Sequence, residues 1–313
     1  MRHIIAASLG ALLVYGGSPA GAELCQRRSG AVFVRAKCKS KERPLDLAQL
    51  GGAGAKGEKG DPGAQGPPGI GPLATCPPDA VLAGAACIDK YEASVWRVPG
   101  ATTSNAVLVA KIQGGEATAA DLAAGGATRL GNAIGDYAPC ADSGQNCTND
   151  IYAASLPGVM PSRYITWLQA QAACKNARKR LPSNAEWQAA VLGTPDPGPD
   201  NGTTDCNTTS AVGPSATGSR SGCVSADGAF DMVGNLAEWV ADWVPRSVPC
   251  GTWSAGVSPT DIQCLAGAAT TGEPGVLVRG GSYGNGPYAG PFAVYGNFHP
   301  SGLEVNLGFR CAR

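Results

Sequence analysis

Residues 276–313 read VLVRGGSYGNGPYAGPFAVYGNFHPSGLEVNLGFRCAR. The segment opens with a β-branched run, Val276 to Val278, and continues into Gly280-Gly281, where paired glycines allow positive φ and a close backbone approach. The residues that follow are rich in Gly, Pro, Asn and aromatic side chains, a composition typical of a loop. Because binding residues are disproportionately found on loops held by a rigid scaffold, we interpret this aromatic loop as a binding surface.

Three further motifs precede this segment. They are CIDKYEAS (residues 87–94), YITWLQAQAACKNARKRLPSNAEWQAAV (164–191) and FDMVGNLAEWVADW (230–243). Together with the C-terminal RGGSY and NLGFRCA, in this order, they resemble the formylglycine-generating enzyme (sulfatase-modifying factor) family. The resemblance covers most of residues 76–313. It implies an α+β, irregular C-type-lectin-like fold with little regular secondary structure.

The first 22 residues have the features of a cleaved secretory signal peptide. Arg2 and His3 form the n-region, residues 4–15 form the apolar h-region, and Ala20-Gly21-Ala22 supplies small residues for cleavage. The apolar run is shorter than the ~20 residues that a membrane-spanning helix needs. We therefore expect a secreted, periplasmic or cell-surface protein without a membrane span.

Glycine occupies every third position from Gly51 to Gly69. Because only glycine fits at the axis of a collagen triple helix, this period predicts a collagen-like stalk over residues 51–72 and a homotrimer, with a flexible Gly/Pro linker as the alternative. Residues 23–50 are predicted to form a small Cys-bridged β module, or else an unstructured basic leader, and residues 73–313 form the domain that carries the motifs. The net charge of zero argues against a nucleic-acid partner.

The chain has 12 cysteines, an even number that in an exported protein predicts disulfides rather than a zinc site. Pairing between near neighbours predicts five bridges: Cys25–Cys38, Cys76–Cys87, Cys140–Cys147, Cys206–Cys223 and Cys250–Cys264. This leaves Cys174 and Cys311, and the family resemblance implies the same long-range bridge.

Local patterns also predict helices and charged positions. Thr166 with Gln169, and Ser183 with Glu186, have the spacing of capping boxes, and each pair predicts the start of a helix. In the motif CIDKYEAS, Asp89 and Glu92 are interpreted as solvated charges on a strand, in preference to catalytic carboxylates.

Asn235 and Glu238 lie at a tight turn in the motif FDMVGNLAEW. Both offer hard oxygen ligands, which suit Ca²⁺, and the resemblance implies calcium bound near this turn by main-chain carbonyls and this glutamate. We expect a structural Ca²⁺ here. The alternative is that Asn235 caps the turn and Glu238 accepts hydrogen bonds from main-chain amides.

The resemblance further implies a Cu(I) ion held by two cysteines that follow GGS and an aromatic residue. The matching positions are Asn285 and Gly290, and neither can supply the thiolate that selects Cu(I). A related branch of the family uses iron held by three histidines, but the mature chain has only His299. We therefore expect neither copper nor iron, and we assign no catalytic residue.

These observations favour a non-catalytic binding protein, a pseudoenzyme whose partner is a cell-surface protein or glycan. The candidate ligand-binding residues are Asn285, Tyr288, Phe292, Tyr295, Asn297, Phe298 and His299. Two alternatives stay open. One is an exported formylglycine-generating-type oxidase, or a related enzyme, with altered chemistry. The other is a retroelement-diversified variable ligand-binding protein, since some bacterial and phage proteins of this fold vary the same loop.

Overall fold

The computed structural model describes three stretches of the chain: residues 23–45, 75–269 and 271–313. The chain divides into two units, residues 1–68 and 69–313. The predicted signal peptide and the predicted collagen-like stalk lie outside the described residues and stay predictions. Within the described stretches, no helix combines the length and the apolar character needed to cross a bilayer.

The first unit contains one small antiparallel sheet. Its strands are β1 (Glu23–Arg27), β2 (Val32–Arg35) and β3 (Glu42–Pro44), in the order β2-β1-β3. The disulfide Cys25–Cys38 ties β1 to the segment that leads into β3. Because three short strands bury little apolar surface, this disulfide is the main covalent constraint on the unit.

The second unit begins with short strands and helices. They are β4 (Ala80–Ala83), β5 (Ala86–Asp89), β6 (Ala93–Arg97), α1 (Ala106–Gly114), α2 (Ala119–Ala124), β7 (Thr128–Leu130), β8 (Ile151–Ser155), α3 (Trp167–Asn176) and α4 (Asn184–Ala190). β4 pairs with β5, and β6 lies between β7 and β8. The two predicted capping boxes are confirmed: Thr166 with Gln169 begins α3, and Ser183 with Glu186 begins α4.

A six-stranded sheet forms the centre of the second unit. Its strands are β9 (Ala237–Val244), β10 (Gly251–Thr252), β11 (Ile262–Cys264), β12 (Gly275–Arg279), β13 (Val294–Phe298) and β14 (Leu307–Phe309). Their order is β10-β11-β13-β12-β9-β14. The pairs β11/β13 and β9/β14 are parallel, and the other pairs are antiparallel. The mixture of helices and sheets agrees with the predicted α+β class.

The central strands of this sheet are buried on both faces. Along β12, Val276 and Val278 belong to one apolar cluster and Leu277 to another; along β13, Val294 and Tyr295 divide in the same way. Side chains alternate across a strand, so consecutive residues enter opposite clusters. A strand in this position reads as a continuous apolar run because it has no solvent-facing side.

Six disulfides connect the described residues, and they join the six pairs expected from the sequence. Cys174–Cys311 joins α3 to the C-terminal segment across 137 residues. In the chain-entropy account, a loop of that length stabilises the folded state by about 4–5 kcal/mol. This content of disulfides is typical of proteins in oxidising compartments.

Candidate functional site

The segment between β12 and β13 runs across the end of the central sheet, and main-chain hydrogen bonds fix its course. It begins at Gly280 and Gly281, whose φ angles of 82° and 73° lie in the left-handed region expected for this pair. The Gly286 N–H donates to the Thr208 carbonyl (3.0 Å), and the Gly290 N–H donates to the Gly280 carbonyl (3.1 Å). Because these bonds use the backbone, the path of the loop depends little on its exposed side chains.

Asn285 acts as the cap of a turn inside this loop. Its Oδ1 accepts hydrogen bonds from the Ser282 N–H (2.7 Å) and the Ser282 hydroxyl (2.8 Å). The Ser282 hydroxyl in turn accepts a hydrogen bond from Asn306 Nδ2 (3.1 Å). At the position where the resemblance implies a copper-binding cysteine, the side chain therefore has a structural role.

Gly290, the second such position, lies against the buried carboxylate of Asp261. A Cβ built on Gly290 would lie 2.3 Å from Oδ1 of Asp261 and 2.4 Å from its Oδ2. Asp261 is held there by the Phe292 N–H (2.7 Å) and the Ser258 hydroxyl (2.8 Å). Partial burial and the neighbouring Asp261 raise the pKa of Asp196 to about 6. The site thus has a carboxylate where the Cu(I) chemistry needs a thiolate, and the residues present do not fit that ion.

Two aromatic side chains of the predicted surface are exposed on this loop. Tyr288 is 51% exposed and Phe292 is 36% exposed. Trp253, which the sequence analysis missed, donates from Nε1 to the Phe292 carbonyl at 2.8 Å. The spacing of Ser258 and Asp261 was an available signal for this region: the Asp261 N–H donates to the Ser258 hydroxyl (3.2 Å), which in turn donates to the Asp261 carboxylate (2.8 Å). Tyr288 and Phe292 form, with Asn285, the surface we call the aromatic edge.

The expectation that Tyr295 and Phe298 belong to the exposed surface is corrected by the structure. Tyr295 is only 8% exposed and lies in an apolar cluster. Phe298 is half-buried, with its ring centroid 5.9 Å from that of Tyr295 and 6.4 Å from that of Trp239. Both residues lie on β13, between β11 and β12, where the sheet is covered on both faces. They contribute to the core.

Asn297 and His299 lie at the other end of β13 from the aromatic edge. Asn297 is exposed, and His299 Nδ1 lies 3.0 Å from the Ser301 hydroxyl, which donates to Glu273 (2.8 Å). A five-residue strand spans about 13 Å between its first and last Cα atoms. The seven predicted ligand-binding residues therefore divide into the aromatic edge, two core residues and a second, separate group.

Glu238 is saturated by donors from the protein. Its carboxylate accepts from Arg310 Nε (2.9 and 2.8 Å), from Arg310 Nη2 (2.7 Å) and from Trp187 Nε1 (2.7 Å). Oδ1 of Asn235 accepts from the Ser215 N–H (2.7 Å), and its Nδ2 donates to Glu92. Both side chains are bound within the protein and do not fit the role of calcium ligands. Calcium near this turn stays a prediction, and it would need main-chain carbonyls.

Asp89 and Glu92 of the motif CIDKYEAS are buried, contrary to the expectation that they are solvated. Lys179 Nζ donates to Asp79 and to Asp89 (2.6 Å), and the Cys311 N–H donates to Asp89 (3.2 Å). Burial raises the pKa of Asp89 to about 6, against the attraction of Lys179. Glu92 accepts the Leu236 N–H (2.8 Å), and burial together with neighbouring carboxylates raises its pKa well above the usual range. These carboxyl groups connect segments of the fold.

Among the described residues, one group of His, Cys, Asp and Glu side chains lies close enough together to share a metal ion. It consists of Glu23, Cys25 and Cys38. Because the two cysteines form a disulfide, they cannot act as thiolate ligands.

Residues 139–313, more than half of the chain, match the sulfatase-modifying factor enzyme 1-like domain. No curated protein matches the chain. Among solved structures, the Major Tropism Determinant P3c variant is 15% identical at a TM-score of 0.41, covering 77% of this chain and 54% of its own. PvdO from Pseudomonas aeruginosa is 21% identical (TM-score 0.36; 73% and 80% covered). Treponema denticola variable protein 1 is 21% identical at a TM-score of 0.33, and the match covers 49% of this chain and 70% of that protein. This chain spans about half the length of the first of these.

Proposed function

This chain belongs to the sulfatase-modifying factor enzyme 1-like family, and from that premise we propose that it is a secreted, non-catalytic binding protein. The observation that carries the proposal is the replacement of the copper chemistry by structural contacts. Asn285 caps a turn, and Gly290 lies against the Asp261 carboxylate. The oxidation implied by the family resemblance needs two thiolates at these positions, and neither residue can supply one. The contacts of Asn285 and Gly290 keep the shape of the loop, but the loop has no ligands for Cu(I).

The aromatic edge is the proposed contact surface. Tyr288 and Phe292 are exposed on a backbone fixed by hydrogen bonds, so little conformational entropy is lost when a partner binds. Aromatic side chains are enriched at protein–protein interfaces, and tyrosine is among the residues that most often dominate the binding energy there. A cell-surface protein or a glycan is the partner that this chemistry suits.

A trimer would add avidity to this surface. The glycine period of residues 51–71 supports a short triple helix, which would present three aromatic edges together. Linked sites raise the effective concentration at the second binding event, so a weak single contact becomes useful. The collagen-like stalk is therefore part of the proposal.

Binding at the aromatic edge is tested by substitution. A pull-down from cell surfaces and a glycan array, both with the full-length protein, first identify a partner. The double variant Tyr288→Ala/Phe292→Ala is then expected to weaken binding by about 30-fold, the effect of losing about 2 kcal/mol at a contact centre. Its melting temperature should stay within about 2 °C of the wild type, because both side chains are exposed.

Val107→Ala provides the matched control, since Val107 is 75% exposed on α1 and lies outside the loop. It should change neither binding nor melting temperature. If the double variant binds as well as Val107→Ala does, the aromatic edge is not the contact surface, and the proposal in this form is wrong.

Catalysis is tested separately. We expect no conversion of cysteine to formylglycine when the protein is incubated with Cu(I), O₂ and a sulfatase peptide of the form CxPxR. Asn285→Cys/Gly290→Cys should also stay inactive, because a Cβ at position 290 meets the Asp261 carboxylate. The alternative, an exported oxidase with altered chemistry, requires tightly bound copper or iron in the purified protein together with O₂ consumption.

A second candidate function is that of a variable binding protein whose loop is diversified by a retroelement. The main-chain hydrogen bonds of the loop favour it. Because main-chain bonds fix the path of the loop, exposed residues such as Tyr288 and Phe292 can be replaced without loss of its shape. A retroelement-diversified protein would have a near-repeat of the loop-coding DNA close to its gene. Substitutions in that repeat should fall on exposed positions and spare Ser282 and Asn285.

A further inference from the structure

The chain is neutral as a whole, but its charge is divided unevenly between its parts. Residues 23–45 contain seven Lys and Arg residues and two Glu residues, a net charge of +5. Residues 75–313 contain 14 Lys and Arg residues and 19 Asp and Glu residues, a net charge of −5. The neutral total therefore conceals a strongly basic segment of 23 residues. A charge of this density on so small a sheet attracts anions.

The three-stranded sheet holds part of this charge in an internal network. The guanidinium groups of Arg27 and Arg35 lie on the Phe33 ring, each 4.9 Å from its centroid. Both also contact the Glu42 carboxylate, Arg27 at 3.2 Å and Arg35 at 2.9 Å. The other carboxylate, Glu23, accepts the Cys38 N–H at 3.3 Å. Both acidic residues of residues 23–45 are thus engaged in contacts within the sheet.

Five basic residues, including Arg27 of this network, line a cleft of about 1240 Å³, formed by the β1–β2 turn and the segment leading into β3. Its basic lining residues are Arg27, Arg28, Lys39, Lys41 and Arg43. The lining also contains the Glu42 carboxylate, whose charge is paired with Arg27 and Arg35. Within the described residues (23–45, 75–269 and 271–313), Arg27 pairs with Glu42, and the other four form no ion pair with a carboxylate. The hydroxyls of Ser29 and Ser40 add hydrogen-bonding groups to the same lining.

We propose that this basic cleft binds an anionic polysaccharide that carries sulfate or phosphate groups. Guanidinium groups match the planar, two-oxygen face of such groups, and lysine adds mobile positive charge. The volume exceeds that of most small-molecule sites, which suits a polymer segment with several anionic groups. This proposal is independent of the aromatic edge, which lies in the other unit.

Two other polyanions fit the cleft less well. Single-stranded nucleic acid is bound by a basic groove together with exposed aromatic rings on which bases stack, whereas the one aromatic ring of this sheet, Phe33, has arginines over it. Binding at an anionic membrane surface combines basic residues with apolar side chains that enter the bilayer from the same contact face. The exposed valines of this sheet, Val32 and Val34, lie on β2, outside the lining of the cleft.

The proposal is tested with the full-length protein and dextran sulfate, dextran phosphate and unmodified dextran as probes. Four neutralised charges predict that affinity falls about 50- to 150-fold between 50 and 200 mM salt, taking about 0.7–0.9 counterions released per contact. We expect both charged dextrans to bind with this dependence and unmodified dextran not to bind.

Charge location is tested with two double variants of equal net charge. Arg28→Gln/Lys41→Gln removes two charges from the cleft and should weaken binding of dextran sulfate by about 30-fold, at about 1 kcal/mol per basic residue. Lys37→Gln/Lys175→Gln removes two exposed charges outside the lining and should change affinity by less than about threefold. All four positions are exposed, so both variants should keep the wild-type melting temperature.

Three results would overturn the proposal. The first is absence of binding to both charged dextrans at 50 mM salt. The second is an equal loss in the two double variants, which would indicate overall charge rather than a site. The third is tighter binding to phosphatidylserine vesicles or to oligo(dT) than to dextran sulfate at matched charge concentration. Tyr288→Ala/Phe292→Ala should bind dextran sulfate normally, which separates this result from a failure of the aromatic edge.

Discussion

Arg310 is the residue whose loss should most clearly reveal how the domain is held together. Its side chain is fully buried and makes a bidentate contact with Glu238, at 2.7–2.9 Å. The same guanidinium donates to the main-chain carbonyls of Asp89 (3.0 Å) and Phe230 (2.8 Å). One side chain therefore joins β5, β9 and the segment before the Asn235 turn.

The change Arg310→Met keeps much of the side-chain volume and removes every one of these donors. Glu238 is left as a buried carboxylate whose remaining donor is Trp187 Nε1, and two main-chain carbonyls lose their partners. Removing one partner of a buried ion pair typically costs 3–5 kcal/mol, so the free energy of unfolding should fall by about that amount. For a domain of this size the melting temperature should fall by about 10 °C.

Urea denaturation of the disulfide-intact protein measures the effect. Arg180→Met is the control, since Arg180 pairs with Glu186 at 2.6 Å but its side chain is 50% exposed; it should cost less than about 1 kcal/mol. Adding Glu238→Gln to Arg310→Met removes the unpaired charge, so the double variant should be more stable than Arg310→Met alone. If Arg310→Met lowers the free energy of unfolding no more than Arg180→Met does, the buried pair Arg310–Glu238 does not stabilise the domain in this way.

Three further outcomes are expected. Burial raises the pKa of Asp231 to about 6, so the native state keeps a proton that the unfolded state, with a pKa near 3.9, has lost. Its contribution makes the free energy of unfolding fall by up to about 3 kcal/mol as the pH rises from about 4 to about 6. In urea titrations, Asp231→Asn should remove that fall, whereas Asp227→Asn, at an exposed position, should not. EDTA tests the predicted structural calcium. A drop in melting temperature that added calcium reverses would show an ion held by main-chain oxygens, since the Glu238 carboxylate already has protein donors, and an unchanged melting temperature would contradict the calcium prediction. Light scattering should find three chains per particle, and Gly60→Ala should reduce that assembly, whereas a monomeric wild type would favour a flexible linker.

Features set by neighbouring residues could be predicted from the sequence. The capping boxes at Thr166 and Ser183 are local, since each cap bonds a residue three positions away. Five of the six disulfides close short loops, so pairing near neighbours identified them. Positive φ at Gly280 and Gly281 followed from glycine itself, which lacks the Cβ that disfavours that region.

Features set by distant contacts could not be predicted in this way. Asp89 reads as a surface charge because its partner Lys179 lies 90 residues away, and Glu92 reads likewise because its partner Asn235 lies 143 residues away. Tyr295 was misassigned for a related reason. A central strand covered on both faces has no solvent-facing side, so its aromatic residue looks like a loop contact until the order of the strands is known.

The buried contacts also explain how the family motifs can be present although the two cysteines that the resemblance implies as copper ligands are absent. Arg310 and Cys311, from the motif NLGFRCA, bind Glu238 and Cys174. These contacts join motifs that are far apart in the chain, and each depends on burial rather than on any reacting group. The copper chemistry, by contrast, depends on two loop positions, here Asn285 and Gly290. A chain that lacks both thiolates can therefore keep all of these buried contacts. In this protein the motifs supply contacts that hold the fold together, and in our proposal the exposed residues of the loop determine the binding partner.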